Sequence, residues 1–262
     1  INVIHFFMGL SPDQKKALDE LLISAFERKV ENFNVSKSMD NSFAQSNVIP
    51  EKYRRIFSTV HSWSTGFGMG FYEQIAQTLA KTSGKDCELQ WRAPKQISED
   101  RVHKIEEILR ENVQYFKTKG KTGRKPDVDN AIKEILAIPN QNLVNDENDN
   151  IVDIYFDNNY LIDSKTVKIN KDLWIELKKK TLRWVARMDR PVKAVIGLPY
   201  NPNGSEPYSA IGFEVMELGK NLLVGKNYWD IFGKGCYDGL TEAFKKIGNE
   251  YFEKTLKKAG VK

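Results

Sequence analysis

The stretch Ile151-Val152-Asp153-Ile154-Tyr155-Phe156-Asp157-Asn158-Asn159-Tyr160-Leu161-Ile162-Asp163-Ser164-Lys165 decides how this chain is read. Ile151 to Phe156 has strand composition, and Asp157-Asn158-Asn159 is a tight turn of residues whose short polar side chains favour turning backbone. Tyr160 to Val167 is the returning strand, which makes a β-hairpin. With a three-residue turn Phe156 faces Tyr160, and counting back sets Asp153 opposite Asp163. Facing residues of an antiparallel pair project to one side with Cβ atoms ~5 Å apart. Side chains alternate along a strand, so Lys165 shares that side with Asp163. Two carboxylates and one ammonium therefore converge on one small patch.

Carboxylates that close repel each other, and a divalent cation offsets the repulsion. Mg²⁺ prefers carboxylate oxygens and keeps several of its waters. A metal-acidified water can attack a phosphodiester in line. The lysine ammonium can orient that water and stabilise charge building on the phosphate. The plain alternative is a hairpin with a surface Asp163–Lys165 ion pair, since Asp-x-Lys occurs by chance in many chains. Three features favour chemistry: the apolar run Tyr160-Leu161-Ile162 before the acid, a partner acid in register, and a basic segment directly after. From Lys165 to Lys193 there are ten basic residues against three acids. That excess is larger than the net +5 of the whole chain, whose mild basicity alone says little about nucleic acid.

Outward from the hairpin, 262 residues with 40% hydrophobic and 29% charged content describe a globular protein large enough to bury a core. There is no apolar run of membrane-spanning length. Ile1 to Leu10 includes an apolar stretch with no basic segment before it and no small-residue cleavage pattern after it, which argues against a signal peptide. Cys87 and Cys236 are too few and too far apart for a disulfide framework or a thiolate metal site, so a reducing, cytoplasmic setting is expected. His5, His61 and His103 show no ligand spacing. Ser11-Pro12-Asp13-Gln14 reads as a helix start with a capping box. Further helices are expected over Phe71–Lys81, after the Gly66-Phe67-Gly68-Met69-Gly70 turn, over Glu99–Phe116, and over Asp172–Met188. The last carries the apolar stripe Trp174, Leu177, Trp184, Val185 and Met188, with Lys178, Lys179, Arg183 and Arg187 mainly off it. Val192 to Leu198 and Ile211 to Met216 read as strands, and the C-terminus as helical. One nuclease-sized domain spans 1–262. Within it 117–150, polar at both ends around a short helix Ala131–Ile138, reads as an insertion or DNA-contacting excursion.

The order acid, strand, turn, strand, Asp-x-Lys resembles the PD-(D/E)xK nuclease superfamily. Tyr160 to Asn170, Ala194 to Pro202 with Pro207-Tyr208, and Leu223 to Gly233 resemble blocks of type II restriction endonucleases of the TdeIII group, in the same order. Gly68 to Ala76, with Tyr72-Glu73 opening a helix, is similar to that group's N-terminal helix. The resemblance implies an α/β fold with a mixed β-sheet, a catalytic hairpin and flanking α-helices. It implies a homodimer that cuts both strands of double-stranded DNA at a short palindrome of the GGNCC kind, with Mg²⁺, leaving 5′-phosphate and 3′-hydroxyl ends. Asp153, Asp163 and Lys165 become the catalytic core, with Glu73 as an extra carboxylate and Ser164 beside the two acids at the metal. The family's first acid usually follows proline, whereas Asp153 follows Val152.

A literal Pro-Asp occurs at Pro126-Asp127, with Asp129 two residues on, as on one face of a strand. Asp127 or Asp129 is thus a rival first acid, though it needs a long detour to reach Asp163. Lys125 to Asn130, with Ile135-Leu136, also resembles the acidic motif of RusA-type Holliday junction resolvases. A DNA-binding protein with structural acids is the non-enzyme alternative. Lys121, Arg124, Lys125, Lys168, Lys179, Arg183, Asn201 and Asn203 are candidate DNA contacts, because basic side chains meet phosphates and arginine suits guanine edges. The glycine run 66–70 lacks a following Lys-Ser/Thr, so no nucleotide cofactor is expected.

Overall fold

A computed structural model describes residues 9–35, 39, 47–68, 70–165 and 169–261. The opening residues 1–8, with His5, lie outside that range, as do Met69, the strand end at Val167, and Lys168. The chain divides into two compact units, one of residues 1–83 and 232–262 and one of residues 84–231.

The first unit is helical. It holds α1 (Pro12–Asn32), α2 (Glu51–Gly66), α3 (Phe71–Thr82), and a C-terminal run. Ser11 caps α1 as its sequence requires: its hydroxyl accepts from the Gln14 amide, and the Gln14 side chain accepts from Ser11 N. Phe26 is the hub of the core, in ring contact with Trp63, Phe67, Phe71, Phe244 and Tyr251. The sequence pattern does not announce α2. It buries Trp63 together with Ser58 and Thr59, while Tyr53, Phe57 and Val60 are exposed, so apolar residues lie on both of its sides.

The second unit is α/β. It contains β1 (Cys87–Arg92), β2 (Gln96–Ser98), α4 (Glu99–Lys117), α5 (Val128–Ala137), β3 (Leu143–Asn145), β4 (Ile151–Phe156), β5 (Tyr160–Ser164), α6 (Lys171–Met188), β6 (Lys193–Leu198), β7 (Leu222–Val224) and the short α7 (Lys226–Trp229). The C-terminal run of the first unit is α8 (Cys236–Ala243), a π turn Phe244–Gly248 and α9 (Asn249–Lys258). The main sheet runs β1-β4-β5-β6-β7. Its β1, β4 and β5 are antiparallel, whereas β5, β6 and β7 are parallel. Parallel neighbours need a crossover, and α6 supplies it between β5 and β6. This mixed sheet with flanking helices is a restriction-endonuclease-like core.

The hairpin turns through Asp157 and Asn158 at φ 51° and 53°, the left-handed region that Asp and Asn tolerate better than most residues. Phe156 pairs with Tyr160, the register that the turn length predicts. α6 starts at Asn170, whose side chain accepts from Leu173 N. One side packs Trp184 and Val185 with Leu161 and Ala194, and another packs Leu182 and Ala186 with Ile105, Ile108, Ala131 and Ile135 of α4 and α5. The segment 117–150 thus contributes α5 to the core, and β3 pairs with β2.

Three expectations change. Ile211–Met216 is not a strand: it carries a 3-10 turn at Phe213–Val215. Gly212 lies at φ 88°, and a Cβ there would come within 2.8 Å of the Lys171 backbone, so the chain bends sharply where a strand would run straight. Asp127 and Asp129 do not share a strand face, because Asp127 is the N-cap of α5, accepting from Asn130 N at 3.0 Å. Lys178 and Arg187 are buried rather than on a solvated face. Among the described residues, no helix is long and apolar enough to cross a membrane.

Candidate active site

Asp163 is fully buried at the C-terminal end of β5, yet its carboxylate meets two ammonium groups. Lys165 Nζ lies 2.8 Å from Oδ2 and Lys180 Nζ lies 2.7 Å from Oδ1. Lys180 donates a hydrogen bond to Oδ1, and Lys165 forms an ion pair with Oδ2. Burial pushes the Asp163 carboxyl up, but Lys180 and Lys165 together overcome it and hold the group below the usual carboxylate range.

Asp153 projects to the same patch from the facing strand. Its Oδ2 accepts from Ser164 N at 2.9 Å. Burial first, and repulsion from Asp163 second, push its carboxyl above the ordinary value. The pair is thus asymmetric: one acid is held ionised by lysines, while the other resists ionisation beside it. On β1, the edge strand next to β4, the ladder pairs Leu89 with Ile154 and Trp91 with Val152 but skips Gln90. Gln90 sits at φ 52°, a strained value for a residue with a side chain, and its amide points at Asp153 Oδ1 from 3.4 Å.

The floor of the patch is set by β6. Lys165 N donates to Gly197 O at 2.9 Å, which fixes the chain just past the acid. A Cβ at position 197 would lie 2.3 Å from the Tyr228 ring, so only glycine lets that ring pack on the sheet. Tyr228 in turn places its hydroxyl 3.3 Å from Ser164 Oγ.

The other sequence-stated residues are dispersed. Glu73 stands half-buried in the first turn of α3, in the helical unit. Arg183 and Arg187 both bind Asp146, and Arg187 also reaches Asn148 O. A buried carboxylate needs such partners, so Arg183 is spent inside the fold. Arg124 pairs with Glu134, and Lys179 lies 3.6 Å from Glu106. Asn201 and Asn203 donate to loop carbonyls at Glu206 and Pro207. Lys121 and Lys125 are exposed. Asp129 pairs with Lys220. A cavity of about 690 Å³ lies beside the N-terminal ends of β5 and β6, lined by Tyr160, Lys193 and Asn221 among others, and takes in neither acid of the hairpin.

Sequence reasoning missed Lys180 and Gln90 as site residues. For Lys180 a signal exists: it stands three residues after Leu177 and four before Trp184, within the apolar stripe of α6. A lysine in such a stripe must aim its charge at a buried partner. Gln90 has no such signal, because its placement depends on a backbone kink.

The mixed sheet thus brings two facing acids and an Asp-x-Lys to one strand end. Residues 10–248 match the family described as Type II restriction endonuclease, HinfI. The chain belongs to the HinfI family of type II restriction endonucleases. No curated protein and no solved structure matches it significantly. As a HinfI-family member the chain is a DNA endonuclease.

The family's chemistry calls for a divalent cation, and the residues present fit one. Asp163 Oδ2 is a buried oxygen whose partner among the described residues is the partly exposed Lys165 ammonium, and a second carboxylate disfavoured as an anion stands beside it. Among the described residues no group of three or more His, Cys, Asp or Glu gathers to hold a metal, and Asp153 and Asp163 are the two carboxylates that meet on this patch. That suits an ion that keeps much of its water.

Proposed function

We propose that this HinfI-family enzyme is a Mg²⁺-dependent endonuclease of the PD-(D/E)xK type, which as a homodimer cuts both strands of duplex DNA at a short palindrome. The observation that carries the reading is the buried Asp163 carboxylate, paired with Lys165 through Oδ2, with Asp153 on the same patch. Asp153 and Asp163 would hold the ion, with Ser164 beside them. Bound magnesium would supply an acidified water and a Lewis acid for the phosphate. Lys165, one-third exposed, leaves Asp163 to orient the attacking water and meet charge on the scissile phosphate. Asp163, held by the second lysine, remains ionised through this exchange. The likeness to the TdeIII group adds Glu73 as an extra carboxylate, and exposed Lys121 and Lys125 remain candidates for phosphate contact.

The test is incubation of the protein with plain linear duplex DNA and Mg²⁺. Discrete fragments with 5′-phosphate ends support the reading, and the fragment ends give the site. A GGNCC-type sequence is what the TdeIII likeness calls for, and another short palindrome leaves the chemistry standing. Cleavage confined to four-way junctions, or binding without cleavage, overturns it. Ca²⁺ in place of Mg²⁺ is expected to support binding with little cutting, and Glu73→Gln to slow cleavage if that acid serves the site.

A further inference from the structure

Asp163 is contacted by two lysines that differ in how firmly they are held, and the difference assigns a role to the one that the Asp-x-Lys motif does not contain. Lys180 comes from the middle of α6, with 18% of its side chain exposed, and hydrogen-bonds Oδ1 at 2.7 Å. Its ammonium lies 5.1 Å from the centroid of the Trp184 ring, which is fully buried and tied by its indole N–H to Asp149 O at 2.6 Å. Lys165 stands beyond the end of β5 with 29% exposure, paired with Oδ2 at 2.8 Å but on no helix and against no described aromatic ring.

We propose that Lys180 is a positioning residue: it grips Oδ1 of Asp163 so that Oδ2 faces the divalent cation, leaving Lys165 as the ammonium that the ion displaces toward the phosphate. This rests on the function proposed above. Two carboxylates and two ammonium groups cancel in the metal-free site, so the acids can be packed together before any ion arrives. An incoming cation competes with Lys165 alone for an oxygen, because Lys180 occupies the other one. Lys180 still repels the ion through space. It therefore weakens metal binding while making the bound geometry productive, and these two effects have opposite signs in a variant.

The experiment compares the parent chain, Lys180→Met, Lys180→Arg and Asp163→Ala by calorimetric titration with Ca²⁺ alone and by steady-state cleavage with Mg²⁺. Lys180→Met is expected to bind Ca²⁺ about tenfold more tightly, since a unit charge next to the ion is removed. Its kcat is expected to fall about 10² fold, with KM for DNA within about twofold, as for an interaction that matters only at the reacting centre. Lys180→Arg, which keeps charge and hydrogen bond, is expected to restore kcat to within about tenfold of the parent. Lys180→Met with parental Ca²⁺ affinity, or with affinity and rate falling together, overturns the inference, as does a parental rate. If the methionine variant does not fold, Lys180→Gln is judged by the same two signs. Asp163→Ala separates the levels: if it binds Ca²⁺ and cuts like the parent, the proposed function itself falls. If it loses both while Lys180→Met changes neither, only the role of Lys180 falls.

Discussion

Pro126-Asp127 and Val152-Asp153 are two short stretches of the same unit, and they reverse what their letters suggest. The first carries the proline-acid pair of the superfamily motif, yet Asp127 spends its carboxylate capping α5 and Asp129 pairs with Lys220 at the surface. The second lacks the proline, yet Asp153 stands across the hairpin from a buried acid and accepts from the backbone beside it. Proline followed by aspartate is also a good way to begin a helix, so the same letters serve a cap as readily as a site. Pairing register, which follows from turn length and alternation, discriminates between the two where the motif does not.

The sharpest way to break this comparison is to exchange the fates of the acids. Asp163→Ala is expected to abolish cleavage and Lys165→Ala to lower it on the order of 10² to 10³ fold, while DNA binding in Ca²⁺ persists. Asp127→Ala is expected to cut at near the parental rate. A gel assay of fragment yield against time reads all three, and a cleavage-dead Asp127→Ala would return the first stretch to the active site.

Asp153 sharpens the contrast through pH. Its folded carboxyl titrates above the ordinary value, so the native state holds this proton more tightly than the unfolded chain does. Its ionisation costs stability as pH rises from the unfolded value through the raised one. Asp153→Asn is therefore expected to raise Tm at pH 7 while eliminating cleavage. Asp163 has the opposite sign. Its lowered pKa contributes stability above the usual carboxylate range, lost as pH falls through the folded value, so Asp163→Asn is expected to lower Tm at pH 7. Thermal melts of both variants between pH 3 and pH 8 measure the two slopes; equal slopes would remove the asymmetry of the pair.

Smaller effects remain. Asp127→Ala is expected to cost about 1 kcal/mol of stability, the usual loss for a helix cap, measured by urea unfolding. Gln90→Gly relieves a left-handed backbone but deletes the amide that faces Asp153. It is expected to raise stability by up to about 1 kcal/mol and to change kcat only a few-fold. A kcat unchanged in Gln90→Gly would confine Gln90 to the edge of the sheet.

Much of the second unit was legible because local rules suffice for it. The hairpin, α6 and β6 follow from turn chemistry, the Trp174-Leu177-Trp184 stripe and an unbroken apolar run, and the register at Phe156 and Tyr160 carries the geometry of the patch. What could not be read depends on contacts distant in sequence. β1 does alternate, with Cys87, Leu89 and Trp91 against Glu88, Gln90 and Arg92, but the left-handed turn at Gln90 has no local signal, and β7 is only three residues long. Arg183 and Arg187 look like a DNA-facing surface until the buried Asp146 is known to lie against them. α2 hides because its apolar residues are split, with Trp63 buried and Tyr53, Phe57 and Val60 exposed.

The run Lys178-Lys179-Lys180 sends three identical side chains to three destinations. Lys178 is buried, donating to Asn112 Oδ1 and Val215 O, and burial brings its pKa down to about 8. Lys179 turns to Glu106 and Lys180 to Asp163. Each step along a helix rotates the side chain by about 100°, so α6 works as an indexed shaft. Inserting one residue between Lys171 and Lys178 would carry Lys178 to the post of Lys179, Lys179 to that of Lys180, and Lys180 to that of the buried Thr181. The count of residues from the Asn170 cap to Lys180 therefore fixes which ammonium meets Asp163.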